Sequence, residues 1–278
     1  MTEPQVSAPK IYLFVDASFV RKLVQDTVCS FSGLQVQVNW KSLLSKFKAS
    51  RVFIYDCLDD IRRLGETEAE LKARVDMQES SNAQISELPG YFVRLGALSG
   101  SGTRRRQKEV DVQLAVDMLL HSQNKSMDIA PLLAGDRDFR PVVEALVNQG
   151  TVVHVISARR SASKALTNAA DLFHALTVDE LWKLTDGPQR DTDGTHFPYD
   201  YTVFDPLPPG EKPIDFQLPL TNGRFPLGFL SIVKDSNNYV LRAIISSETY
   251  VFPKFWRFHD LVRLKSFAEL EFGTIIWN

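Results

Sequence analysis

The strongest constraint on this chain is an alternation that runs through its first two-thirds. Short β-rich apolar runs recur at Ile11–Val15, Arg51–Tyr55, Tyr91–Leu95, Ala130–Ala134 and Thr151–Ile156. Helix-favouring stretches fall between them, at Phe19–Val28, Glu66–Ser80, Val110–His121 and Phe139–Asn148, the last with Gly150 as its stop signal. The Thr151–Ile156 run is almost continuously β-branched, as expected of a strand covered on both faces. Strands separated by helices build parallel βαβ units, because parallel neighbours need a crossover. The expected class is therefore α/β, a three-layer α/β/α sandwich around a parallel sheet.

From Asp186 the texture changes. Eight of the fourteen prolines lie between Pro188 and Pro226. Residues 188–213 read as a proline-rich linker or strap, which divides the chain into a first domain of residues 1–187 and a small C-terminal domain of residues 214–278. The latter looks β-rich. Leu227–Val233 and Tyr239–Ile245 flank the polar turn Lys234–Asn238 as a hairpin, and Tyr250, Phe252, Phe255, Trp256 and Phe258 suit the core of a compact module.

The chemistry is carried by acids at strand ends. Asp16 follows the first run, and Asp136 and Asp138 follow the fourth. In an open parallel sheet the carboxyl ends of strands line the ligand crevice, above all at a topological switch point. If the first and fourth strands are neighbours there, Asp16 and Asp136 meet. Gly135 allows a tight turn, and Asp138 precedes a helix it can cap. Asp111 is expected near the start of an otherwise apolar helix, on the face of Leu114, Ala115 and Met118, which packs inward. Like charges about 4 Å apart repel by roughly 4 kcal/mol at an effective dielectric near 20. Gathered carboxylates thus need a cation or raised pKa values. An oxygen-only site suits Mg²⁺ or Mn²⁺, whose chemistry on phosphate is phosphodiester hydrolysis.

These residues resemble a known family. Phe14-Val15-Asp16-Ala17-Ser18, the Lys108-x-Val110-Asp111-Val112 helix running on to Asp117, and Gly135-Asp136-Arg137-Asp138-Phe139 with Pro141 are similar to the three signature blocks of NYN domains. NYN domains are PIN-like nucleases and include the LabA-like group. The resemblance covers roughly residues 10–180. It implies a metal-dependent endonuclease, usually acting on RNA, with Asp16, Asp111, Asp136 and Asp138 as catalytic, metal-holding residues. Asp56 and Asp117 are outer-shell candidates. The family's first block commonly runs Asp-x-x-Asn, whereas the fourth place here is Phe19; a glycine common before Val110 is Glu109 here.

Net charge is −2, so no global basic field points to nucleic acid, but a local strip can steer a polyanion equally well. Arg104, Arg105, Arg106 and Lys108 follow flexible glycines just before Asp111; with Ser18 and Arg137 they are the candidate nucleic-acid contacts. RNA is favoured over DNA as partner. The five scattered histidines and the two cysteines, Cys29 and Cys57, give neither zinc spacing nor a disulfide framework. The polar Met1–Lys10 segment lacks an apolar signal core, and no run approaches the ~20 apolar residues of a membrane span. A cytoplasmic protein without a membrane partner is expected, and self-association into a homo-oligomer stays open. Two other readings compete. One is an NYN-fold nucleic-acid-binding or regulatory protein that cleaves weakly or not at all, favoured by Phe19. The other, weaker reading is a small-molecule phosphohydrolase, which would want Asp-x-Asp where Asp16 is followed by Ala17 and Ser18.

Overall fold

The computed structural model describes residues 8–29, 34–96, 103–187, 199–201, 221–225, 228–235, 238–245, 254–258 and 260–278. They divide into two compact units, residues 1–24 with 37–176 and residues 25–36 with 177–278.

The first unit runs β1 (Tyr12–Asp16), α1 (Ala17–Val24), α2 (Leu43–Lys46), β2 (Arg51–Asp56), α3 (Glu68–Ser86), β3 (Tyr91–Leu95), α4 (Thr103–Gln123), β4 (Ile129–Leu133), α5 (Arg140–Asn148), β5 (Val152–Ala158), α6 (Lys164–Thr167) and β6 (Leu172–Leu176). The strands form one sheet in the order β3-β2-β1-β4-β5-β6, with every pair parallel. The order reverses between β1 and β4, which are neighbours, so the α/β class and the switch point expected from the sequence are both present.

A single register row crosses all six strands: Phe92, Phe53, Phe14, Leu132, Val155 and Phe173. Within it Phe14 stacks on Phe53 at 5.2 Å between ring centres, and Phe53 on Phe92 at 4.9 Å. Side chains two apart along a strand share a face. Tyr12, Phe14, Phe53, Tyr55, Leu132, Val153 and Val155 accordingly pack with Leu114 and Met118 of α4 and with Val143 and Leu146 of α5. The intervening Leu13, Val15, Val52 and Ile54 are also fully buried. A parallel sheet with buried residues at every position of its central strands explains the unbroken apolar runs.

Three boundaries differ from expectation. α4 begins at Thr103, seven residues before Val110, so the basic run is helical rather than a loop; Arg, Gln, Lys and Glu are all good helix formers. Residues 97–102 and the side chains of Arg104, Arg105, Arg106 and Lys108 lie outside the described residues. The first helix ends at Val24 and continues as a π-helical turn, Gln25–Cys29. A sixth strand, Leu172–Leu176, was not expected; it is an edge strand with an exposed leucine and half-buried middle residues, so it lacks an apolar run.

The second unit holds α7 (Val178–Trp182), β7 (Tyr199–Tyr201), β8 (Thr221–Phe225), β9 (Gly228–Asp235), β10 (Asn238–Ile245), β11 (Lys254–Phe258), α8 (Leu261–Phe272) and β12 (Ile276–Trp277). Its strands form an antiparallel sheet in the order β12-β8-β9-β10-β11-β7. The expected hairpin is β9–β10, with Asp235 and Asn238 still paired, so the strands run closer together than the five-residue turn implied. The stretch read as a linker contributes β7, which pairs with β11. Residues 177–187, read with the first domain, group here: the Val178 amide donates to Glu271 Oε2 at 2.7 Å. Helix α8 was missed. Its Phe267 lies 5.4 Å from Trp256 and 5.2 Å from Phe258, which makes the aromatics core residues of an α+β unit. Tyr250 and Phe252 are outside the described residues. No described helix is long and apolar enough to cross a membrane.

The orientation of α4 yields a test. Leu114 is 1% exposed and Val112 61%. Leu114→Ala is expected to lower unfolding free energy by about 2–5 kcal/mol, and Val112→Ala to stay within about 0.5 kcal/mol, in urea titrations. Equal effects would mean that α4 presents a different face.

Candidate active site

Pleat parity decides which acids meet. Asp16, the last residue of β1, is two beyond Phe14 and so faces the α4 side. On α4, Asp111 lies three and seven residues before the buried Leu114 and Met118, on the face turned to the sheet. The helix starts earlier than expected, so Asp111 sits in its third turn, still at the rim of the core. Asp136 and Asp138 follow β4, the strand beside β1.

Two of these carboxylates are held by local backbone. The Phe19 amide donates to Asp16 Oδ1 at 3.0 Å, so Asp16 opens α1 in the manner of a cap. Asp136 accepts from the Asp138 amide at 3.0 Å through Oδ1 and caps the short 3₁₀ turn Arg137–Phe139. Asp136, Arg137 and Asp138 are exposed, and Asp16 and Asp111 half-buried. Burial raises the Asp16 pKa against the amides of Phe19 and Ser18, with Asp136 and Asp56 adding to the rise. Asp111 is pushed up to about 7, by burial first and then by the charges of Asp16, Asp136 and Asp138. The charges of Asp16, Asp136 and Asp138 thus reach Asp111, and that of Asp136 reaches Asp16.

The donor set is all oxygen, which fits Mg²⁺ or Mn²⁺. Among the described residues no three acids, histidines or cysteines stand close enough to hold an ion between them. Mg²⁺ usually keeps several waters and takes only one or two carboxylates directly, so a looser ring is compatible with it.

Asp56 and Asp117 do not join this cluster. Asp56 is one residue beyond Tyr55, so it turns to the other face of the sheet, where it is fully buried. There it receives Arg21 Nη1 at 2.6 Å and Nη2 at 2.8 Å, Gln78 Nε2 at 2.9 Å and Asn82 Nδ2 at 2.8 Å. Burial alone would raise its pKa, but Arg21, then Gln78 and Asn82, outweigh burial and hold it below the ordinary value. Its role is to anchor Arg21, although its charge still reaches Asp16. Asp117 accepts from the Tyr55 hydroxyl at 2.8 Å and from Arg94 Nε at 3.4 Å, tying α4 to β2 and β3. It is absent from the charges that raise Asp111.

Several neighbours escaped the sequence reading. Ser18 Oγ lies 3.7 Å from Cys57 Sγ, just past the ends of β1 and β2. Gly135 is glycine because of close approach rather than a positive φ. A Cβ there would collide with the Ser161 carbonyl oxygen and stand 2.5 Å from Phe19 Cε2. The Phe19 ring therefore lies against the backbone next to Asp136. Gln78 and Asn82 are four apart on α3, a spacing that was legible, but nothing local marks Asp56 as their target.

Comparison with known proteins places these residues in context. The family model of the NYN domain matches residues 10–177. An uncharacterized protein of Sinorhizobium fredii is 33% identical over 106 residues, 36% of this chain and 48% of that protein, so the match spans about half the relative's length. A crystal structure of a protein of unknown function from Vibrio parahaemolyticus aligns with a TM-score of 0.44 and 16% identity, covering 63% of this chain and 96% of that one.

The raised Asp111 has a sign that can be checked. A carboxyl whose folded pKa lies above its unfolded value near 4 contributes stability that is complete below about pH 4 and lost as pH rises through about 7. Without metal, Asp111→Asn should match the wild type near pH 4 and exceed it in melting temperature above about pH 7. Melting curves across pH in a chelating buffer test this; a gap independent of pH would remove the charge cluster.

Proposed function

The chain belongs to the NYN domain family, a branch of the PIN-like nuclease superfamily, and on that footing we propose that it is a divalent-metal-dependent nuclease that hydrolyses phosphodiester bonds in RNA. The observation that carries the proposal is the placement of Asp16, Asp136 and Asp138 just after the adjoining strands β1 and β4, with Asp111 on the sheet-facing side of α4, where neighbouring acids raise Asp16 and Asp111.

These four side chains would hold Mg²⁺ or Mn²⁺, which when bound polarises a phosphoryl oxygen and activates water. The chain supplies the rest. The amides of Ser18 and Phe19 orient Asp16, and the Asp138 amide orients Asp136 while leaving its Oδ2 without a partner among the described residues. Half-burial of Asp16 and Asp111 keeps water sparse and strengthens their pull on a cation. The exposed Arg137, between two of the acids, offers a cation to an incoming phosphate. The preference for RNA rests on the family, whose members usually act on it.

One observation favours a second reading, a nucleic-acid-binding protein with weak or no cleavage. Phe19 stands where the family commonly has asparagine, and its ring packs on Gly135 beside the acids instead of offering a polar contact.

Labelled single- and double-stranded RNA and DNA, incubated with Mg²⁺, Mn²⁺ or a chelator, decide between the two. Metal-dependent cleavage, fastest on RNA, is expected, with Asp136→Asn lowering turnover about a hundredfold or more at unchanged fold stability. Wild-type turnover in that variant would take Asp136 out of the mechanism. Tight binding without cleavage, with cleavage gained by Phe19→Asn, would establish the second reading. Absence of both binding and cleavage would overturn both.

A further inference from the structure

Arg21 is held in a way that its pairing with Asp56 alone does not require. Its two terminal nitrogens meet the two oxygens of Asp56 end-on, at 2.6 and 2.8 Å. Asp56 is itself locked by Gln78 and Asn82. The guanidinium also lies over the ring of Trp40, 5.3 Å from its centre. One edge and one face of the group are thus fixed by buried partners. A guanidinium has five N–H donors in a planar fork. The second edge, Nε–H with one Nη–H, has no partner among the described residues, and the side chain is 34% exposed.

The place of Arg21 in the fold is informative. Arg21 lies five residues beyond Asp16 on the helix that Asp16 opens, about 7.5 Å along its axis. Ser18 lies between them in sequence on α1, and its hydroxyl meets the thiol of Cys57, the residue after Asp56. Burial raises the Cys57 thiol, Asp56 and Asp16 add to the rise, and Arg21 offsets it, which places all of these groups in one neighbourhood. A planar two-donor edge matches two oxygens of a phosphodiester, the geometry for which arginine is favoured over lysine.

Resting on the nuclease reading above, we propose that Arg21 is a phosphate-binding residue. Its free edge takes a phosphodiester neighbouring the one that is cut, and Asp56, Gln78, Asn82 and Trp40 are the frame that pre-orients it. No covalent step is involved; the contribution is to binding and register.

The test uses the full chain and single-stranded RNA oligonucleotides. Removing Arg21 alone strands a buried carboxylate, so Arg21→Met is paired with Asp56→Asn, which leaves a neutral pair of similar size. Binding is read by fluorescence anisotropy in a chelating buffer over a series of salt concentrations, and cleavage by kcat and KM with Mn²⁺. The double variant should bind roughly tenfold more weakly. The slope of log affinity against log salt should fall by about 0.7, one phosphate's share on a single strand. KM should rise while kcat changes little. Arg21→Lys keeps the charge opposite Asp56 but cannot serve two edges, and it should show the same rise in KM if the double variant fails to fold. Unchanged slope and KM in either folded variant, with a wild type that binds and cleaves, would overturn this assignment alone. A wild type that neither binds nor cleaves would overturn the nuclease reading and this assignment with it.

Discussion

Everything at the candidate site depends on the register row Phe92–Phe53–Phe14–Leu132–Val155–Phe173 and on the pleat that this row sets. A slip of one residue in any strand would turn its inward side chains to the opposite face. With Phe14, Phe53 and Phe92 stacked on one side, the row is hard to shift, because large aromatic area would have to leave one packed layer and enter another. Once Phe14 is fixed, Asp16 two residues later must face α4, and Asp56, one residue beyond Tyr55, must face α1 and α3. The fate of each acid follows from that parity. One meets other acids and the other meets an arginine.

The two faces then solve opposite electrostatic problems. On the α1 side a fully buried carboxylate is tolerable because a bidentate guanidinium and two amides satisfy it, and its pKa stays low. On the α4 side no described cation neutralises Asp16 and Asp111, and both are raised. A protein could relieve the second strain with one lysine, yet the strained arrangement stands at the reversal point of the strand order, where open α/β sheets bind their ligands. Perturbed carboxyls in such a place are characteristic of a functional site. The neutralised Asp56 adds to the field at Asp16 without itself competing for that charge.

Much of this was legible in the residues. Five apolar runs between helical stretches were enough for a parallel sheet, and acids directly after the first and fourth runs pointed to a crevice where those strands adjoin. The elements that escaped have a physical reason in common. Strand β6 is half-exposed at the sheet edge and carries no apolar run. Helix α8 is rich in phenylalanine, which suits a strand as readily by local propensity, and its helical state is set by packing of Phe267 and Phe272 against Trp256. The Arg21–Asp56 pair spans 35 residues, and no periodicity reveals a contact of that range. The partners of Asp117, Tyr55 and Arg94, lie on two strands distant from it in sequence, so local pattern does not reveal them.

The departure at Phe19 is tied to a second residue, and the two are best understood together. Gly135 lies two residues past β4 and precedes Asp136, and its missing side chain leaves the space that the Phe19 ring and the Ser161 carbonyl occupy. The Gly135 carbonyl in turn accepts from the Ser163 amide at 3.0 Å, which ties the loop after β5 to the turn that presents Asp136. Phe19, on α1, thus lies beside the segment that joins β4 to the turn carrying Asp136. The backbone amide that residue 19 gives to Asp16 is available from any residue except proline, so orientation of Asp16 survives the change. What changes is the wall beside the acids, apolar where the family commonly presents an amide. Such a wall sets an aromatic ring beside the backbone next to Asp136, whose carboxylate stays exposed. The departure therefore leaves the placement of the acids intact and changes the polarity of the wall beside them.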